Sequence, residues 1–275
     1  MSQKEASAHA RAHSIFHYLG YSLAGVTLLV GGIFVYQRVE QFLISNPRFV
    51  MRPPEEYGED SPNLQIEGAR HASRVQLVQA FAEDFGRSIY LCPLKKRRLS
   101  LLAVSWVKDA SVMRIWPNRA LVRIVEREPV AFVPLPTRDP QDGARLALID
   151  EEGVLLEPRN PAEFRLPVLV GVRAEESREM RRARVRRMQK FLSEAGQFRD
   201  RFSEIDVTAL ENLQVTFPVE GTALTLILGE GHYGVKLRNF FANYEAIRQR
   251  LPWAKVLDLR VEDRVTAIGG GSRSE

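Results

Sequence analysis

Residues 106–132 read WVKDASVMRIWPNRALVRIVEREPVAF, and this stretch decides how the rest of the chain divides. Two strand-like runs meet at Trp116-Pro117-Asn118-Arg119, where proline presets φ and asparagine tolerates turn geometry, so the chain reverses. Beyond the turn, Ala120, Val122 and Ile124 alternate with Leu121, Arg123 and Val125, the period of two of a strand with one better-buried face. Glu128-Pro129 interrupts it, because proline removes a ladder donor and pushes its predecessor to extended geometry. Val130-Ala131-Phe132 then resumes the strand. A chain that leaves one hairpin and enters another sheet without a loop implies two small domains on a shared spine.

The same residues carry a family resemblance. Arg114-Ile115-Trp116-Pro117 followed by Glu126-Arg127-Glu128-Pro129-Val130-Ala131 is similar to the segment that closes the POTRA domain and opens the β domain in the FtsQ/DivIB family of bacterial cell-division proteins. Further pieces follow in the family's order: Ile66-Glu67-Gly68 before Ser73, Trp106-Val107, Leu148-Ile149-Asp150 with Gly153, Leu166-Pro167 with Gly171, and Leu257-Asp258-Leu259-Arg260. The resemblance spans residues 60–268. It implies an α+β protein with a single transmembrane helix, a β-α-α-β-β POTRA domain, and a mixed second domain whose sheet is mainly antiparallel.

Length and composition agree with two modest domains. The chain has 275 residues, 27% of them charged and 45% hydrophobic, ordinary values for folded material. The formal charge of +5 comes with no nucleic-acid recognition motif, so it reads as a surface near anionic lipid or envelope polymer. Cys92 is the only cysteine, which excludes an intrachain disulfide, and it reads as a small buried hydrophobe.

From Ile15 to Gln37 there is no Asp, Glu, Lys or Arg over 23 residues. As a helix this reaches about 34 Å, enough for a bilayer core, and no small-x-small cleavage pattern follows. It is expected to be an uncleaved anchor after a short polar tail, residues 1–14. Lys4 and Arg11 precede it and Arg38, Arg48 and Arg52 follow, so flanking charge does not orient it. The resemblance implies the N-terminus inside and the bulk outside, in the bacterial inner membrane. Pro47, Pro53, Pro54 and Pro62 with Gly58 predict an extended tether over residues 38–62.

The first domain is expected over residues 63–129. Leu64–Ile66 is a strand. Ser73 caps a helix with Val75, Val78, Phe81 and Phe85 on one side, ended by Gly86, and Pro93 opens a second helix. Its basic run Lys95-Lys96-Arg97-Arg98 reads as a solvated face, with a partner or lipid contact as the alternative. The second domain is expected over residues 130–268, with 134–143 a loop and Asp150-Glu151-Glu152-Gly153 a hairpin turn. Residues 166–170 read as a strand. A helix over 175–198 carries the stripe Val185, Met188, Leu192 and Ala195. Arg178, Arg181, Arg182, Arg184, Arg186 and Arg187 surround that stripe, facing solvent or an acidic partner or phospholipid heads. Strands over 203–208, 213–217 and 223–228, a helix over 235–251 and strands over 256–260 and 265–268 complete it, before a disordered Gly- and Ser-rich tail, 269–275.

Gly229-Glu230-Gly231-His232-Tyr233-Gly234 satisfies G-x-G-x-x-G between a strand and a helix, with Asp258 in the next strand. A doubly wound nucleotide domain needs further βα units, and the chain has no room for them. The glycines therefore read as a connecting loop, and the alternative of a membrane-anchored dinucleotide enzyme is set aside. His71 and His232 stand in no metal-ligand spacing, and no nucleophile elbow occurs, so no catalytic, cofactor or metal residue is assigned. A POTRA-bearing secretion or assembly factor would need a barrel of many strands after Phe132.

What remains is binding. The last strand, Val265-Thr266-Ala267-Ile268, is expected at a sheet edge, where unpaired main-chain groups can accept another chain by β-augmentation. The resemblance implies that this end receives FtsB in complex with FtsL. With Arg260, Val261 and Arg264, these residues form the candidate partner site. Arg260 is expected to pair either with an acidic group of the partner or with an acid of its own chain. Val261 stands where the family often has an aromatic, and Asp263-Arg264 replaces small turn residues.

Overall fold

The computed structural model describes residues 3–55, 61–137, 144–219, 221–261 and 264–268. The 269–275 tail, Gly58 and Asp263 lie outside them. The chain separates into two compact units. One holds residues 1–69, 73–102 and 109–124, and the other residues 70–72, 103–108 and 125–275.

In the first unit, helix α1 runs unbroken over Gln3–Ser45, so the described part of the expected N-terminal tail is helical. It is long and apolar enough to cross a membrane, and over Leu23–Ser45 none of its residues is buried, Glu40 and Leu43 being half-covered. Over the described residues 38–55 the expected tether does not follow. Asn46 ends the helix, its side chain accepting from the Arg48 amide at 3.0 Å, and Pro47 opens a single 3-10 turn, Pro47–Phe49. Proline serves here as a first helical residue, where its missing N–H costs nothing. Met51 is wholly buried, donating to the Arg87 carbonyl at 2.9 Å and accepting from the Gly86 amide at 2.8 Å. Arg52 and Ser61 are also fastened, through Asn63 Oδ1 at 2.9 Å and the Arg52 carbonyl at 2.9 Å.

A three-stranded sheet of order β1-β3-β2 follows, from β1 (Leu64–Glu67), β2 (Val107–Ile115) and β3 (Arg119–Glu126). Strand β1 lies parallel to β3, Leu64 opposite Ala120 and Glu67 opposite Arg123. Helices α2 (Arg74–Gln79) and α3 (Leu94–Leu102) complete the β-α-α-β-β order. α2 is shorter than the apolar spacing predicts. The chain leaves the helix after Gln79, so Leu77, Val78 and Phe81 are buried while Val75 stays exposed and Phe85 half-buried. The basic run is not a uniform solvated face either. Arg97 is buried on Asp84, and Lys96 and Arg98 pair with Glu83 and Asp109.

The second unit is built on a sheet that is nine-stranded among the described residues, in the order β12-β11-β10-β9-β8-β7-β4-β5-β6. Its strands are β4 (Pro129–Pro136), β5 (Ala144–Asp150), β6 (Leu155–Leu156), β7 (Val168–Val170), β8 (Glu204–Asp206), β9 (Leu213–Val219), β10 (Thr222–Gly229), β11 (Val256–Asp258) and β12 (Thr266–Ala267). β4 begins three residues after β3 ends, which is the shared spine. It runs through Pro134 and Pro136, part of the expected loop. That is tolerated because β4 meets β7 only at Phe132, leaving the later amides on that side without a partner to lose. Helix α4 (Arg178–Ala195), capped by Ser177, buries Val185, Met188, Phe191 and Ala195. Phe191 takes the place expected of Leu192, which is half-buried. The expected helix over 235–251 is two helices, α5 (Tyr233–Ala242) and α6 (Tyr244–Arg250), broken at Asn243. Tyr233, Leu237 and Phe240 join the α4 stripe against Val133, Ile149, Ile205, Val215 and Leu226 of the sheet.

The spine residues have structural work that explains their chemistry. The Glu126 carboxylate accepts from the amides of Arg70, His71 and Ala72 at 2.8, 2.9 and 2.7 Å. Arg127 reaches Asp150 at 2.7 Å and Glu152 at 2.9 Å. Trp106 donates from Nε1 to the Glu157 carbonyl at 2.9 Å and stacks on His71. Gly153 in the hairpin has φ +80°, and a Cβ there would lie 2.6 Å from the Arg182 amide nitrogen, so α4 presses on the turn as only glycine allows.

Candidate partner-binding edge

Among the described residues strand β12 has one neighbour, β11, and so lies at the end of the sheet. The pair is antiparallel, with Leu257 opposite Ala267 and Asp258 opposite Thr266. The Ile268 amide donates to the Val256 carbonyl at 3.0 Å, which makes 268–256 a hydrogen-bonded pair. Such pairs alternate in an antiparallel ladder. Thr266 therefore turns its main chain toward β11, while Val265 and Ala267 turn theirs outward. Their side chains lie on the core face, half-buried, and Thr266 and Ile268 are exposed on the other.

Under this edge lies a recess of ≈ 430 Å³ whose apolar lining includes Phe240, Ile247, Leu251, Leu259 and Val265. It was not foreseen, because the helix expected over 235–251 breaks at Asn243 and places Phe240 on α5 while Ile247 stands on α6. Val261 is exposed beside the edge, 63% accessible. Arg264 is exposed, its amide donating to the Val261 carbonyl at 3.3 Å. Arg260 grips its own chain: Nε and Nη2 donate to the Asp258 carboxylate at 3.0 and 2.6 Å. Of the two roles open to Arg260, the structure displays the internal one.

The α4 arginines divide. Arg178 pairs with Glu152, Arg181 donates to the Gly153 carbonyl at 2.8 Å, and Arg184 pairs with Glu176 at 2.8 Å. Arg187 lies over the Tyr233 ring at 5.6 Å. Only Arg182 and Arg186 of the six stand exposed without an ion pair among the described residues.

The glycine motif is absorbed by packing. The Tyr233 amide at the start of α5 donates to Glu194 Oε2 at 2.9 Å, so a carboxylate stands where a pyrophosphate would have to. A Cβ on Gly234 would meet the Glu194 carbonyl oxygen at 2.6 Å, which makes it the contact point of α5 on α4. Gly234→Ala is expected to lower the thermal midpoint by several degrees, about 2 kcal/mol of overpacking. A calorimetric scan with no change would remove this packing role.

Among the described residues, five carboxylates are held below their ordinary range by arginines that donate to them: Glu83 by Arg97, Asp109 by Arg98, Glu152 by Arg127, Glu176 by Arg184 and Asp258 by Arg260. A carboxyl whose pKa falls on folding adds stability above its unfolded pKa. That contribution is lost as pH drops through the folded value. The thermal midpoint should hold from neutrality to about pH 5 and fall steadily below about pH 4. A circular-dichroism melt series that stays flat to about pH 2.5 would contradict this.

Comparison with known proteins agrees with the geometry. Residues 62–127 match the POTRA domain of FtsQ type, and residues 140–260 match the C-terminal region of cell division protein FtsQ/DivIB. Together the matches take in more than half of the chain. The chain is 28% identical over 247 residues to the cell division protein FtsQ of Koribacter versatilis, covering 88% of this chain and 67% of that one. To FtsQ of Caulobacter vibrioides it is 27% identical over 181 residues, 64% of this chain and 58% of that one. To FtsQ of Myxococcus fulvus it is 24% identical over 244 residues, 86% and 78% of the two. With the two matches falling in order on the β-α-α-β-β domain and on the mixed sheet that follows it, the chain belongs to the FtsQ/DivIB family of cell division proteins.

Proposed function

We propose that the chain is a non-enzymatic scaffold of the bacterial division machinery, held in the inner membrane by α1 with its N-terminus in the cytoplasm. It binds FtsB- and FtsL-like membrane proteins by strand addition at β12, through residues 260–268, and engages other division proteins through the POTRA domain. The observation that carries this reading is the outward main chain of Val265 and Ala267, set above an apolar recess that a partner's side chains can fill. Main-chain pairing supplies affinity and the recess supplies register.

The family assignment supports a role in division. Depletion of the protein in its own host is the test. Cells should grow as filaments without septa, and FtsB- and FtsL-like chains should copurify with the tagged protein from wild-type membranes. Normal septation after depletion would overturn the division role. Filaments without copurification would overturn the choice of partners.

A further inference from the structure

The geometry points to the first domain resting directly on the lipid headgroup layer, through Tyr90 and Leu91, with Arg87 and Lys95 near them in sequence. This rests on the membrane-anchor reading above and adds a second contact with the bilayer.

Two windows of α1 are long enough to cross: Leu23–Ser45 by hydropathy, and Ile15–Gln37 by freedom from charge. Contacts along the helix choose between them. Ser88 Oγ donates to the Leu43 carbonyl at 2.7 Å, the Phe49 ring meets Phe42 edge-on at 5.8 Å, and the Tyr90 hydroxyl lies beside Tyr36 and Glu40. A bilayer reaching Ser45 would take Arg38 and Glu40 of the helix, with the domain surface that touches it, into hydrocarbon. Charged groups there are heavily disfavoured. The window Ile15–Gln37 keeps them outside, with Arg38, lying over the Phe34 ring at 5.1 Å, as the first charge at the surface.

That choice leaves no clearance. Tyr36 is in the last turn of the span, and Tyr90 touches it. Leu43 stands only about 9 Å above Gln37 along the helix, not much beyond the depth of one headgroup layer. The side chains at that level suit it. Tyr36 and Tyr90 are amphipathic rings of the kind that collect at the interface. Leu91 is exposed although apolar, 38% accessible. Arg87, three residues before Tyr90, and Lys95, four after Leu91, are exposed with no ion pair among the described residues, the kind of cation that lipid phosphates attract.

The test uses the full chain reconstituted into phosphatidylethanolamine–phosphatidylglycerol vesicles, with Leu91→Cys carrying an environment-sensitive fluorophore. Native Cys92 does not compete, being buried and with its thiol pushed up to about 12 by that burial. Nitroxide lipids labelled shallowly in the acyl chain should remove about half of the emission, and deeply labelled ones little. Arg87→Cys gives a second probe with the same expectation. Flotation reports the anchor separately. A chain that floats with both probes unquenched overturns the headgroup contact alone, and a chain that fails to float overturns the anchor and the contact together.

Discussion

Val265→Pro is expected to abolish copurification of FtsB- and FtsL-like chains while leaving the fold intact. The Val265 amide points out of the sheet, so proline there takes away a donor that only an added strand would use. Two or three ladder bonds contribute about 0.5–1.5 kcal/mol each, so losing one and the register it sets weakens the complex about tenfold or more. Ala267→Pro, the other outward position, should do the same. Thr266→Pro acts differently, because its amide faces β11, and it should detach the edge strand itself. The measurement is pull-down from membranes alongside a thermal melt of each variant. An undiminished complex with Val265→Pro and an unchanged melt would falsify strand addition.

Arg127→Ala carries the largest expected loss of stability. Its guanidinium, 11% exposed, is the charge partner of Asp150, 3% exposed. Asp150 also accepts from the amides of Glu152 and Val154 at 3.0 and 2.7 Å and so holds the hairpin turn. Truncating the arginine strands a buried carboxylate, a change that costs about 3–5 kcal/mol. For domains of this size the thermal midpoint should fall by about 10 °C. The double variant Arg127→Met with Asp150→Asn removes both charges together and should recover most of that loss. A double variant no more stable than Arg127→Ala would show that the pair acts through something other than charge burial.

Much of this architecture was legible in the sequence because local patterns and tertiary contacts agree there. Alternation over 119–126, proline at 129 and the Asp-Glu-Glu-Gly turn each gave an element that the fold keeps. The failures share a cause. Pro47, Pro53 and Pro54 looked like a tether, but a proline also opens a helical turn, and nothing local announces that Met51 will be buried beside Gly86. Phe85 fits a helical period that ends at Gln79 because the chain turns there. Leu192 and Phe191 are adjacent on the helix, and only the sheet beneath chooses between them. At the edge, a strand is expected over 265–268, and β12 stands within that range. The recess could not be read, since it exists only where α5, α6 and the loop after β11 converge. Arg260 shows the same limit: a short-range pair with Asp258 and a long-range pair with a partner have one sequence signature.

The clasp around Met51 bears on how far the molecule can search. A flexible leash of residues 38–62 could pay out to about 80 Å and let the domain wander over a wide disc of membrane. The helical post that stands there instead rises about 12 Å over residues 38–45 and then locks. Encounters of the first domain with other membrane proteins must then come from lateral diffusion of its anchor, with that domain at one fixed height.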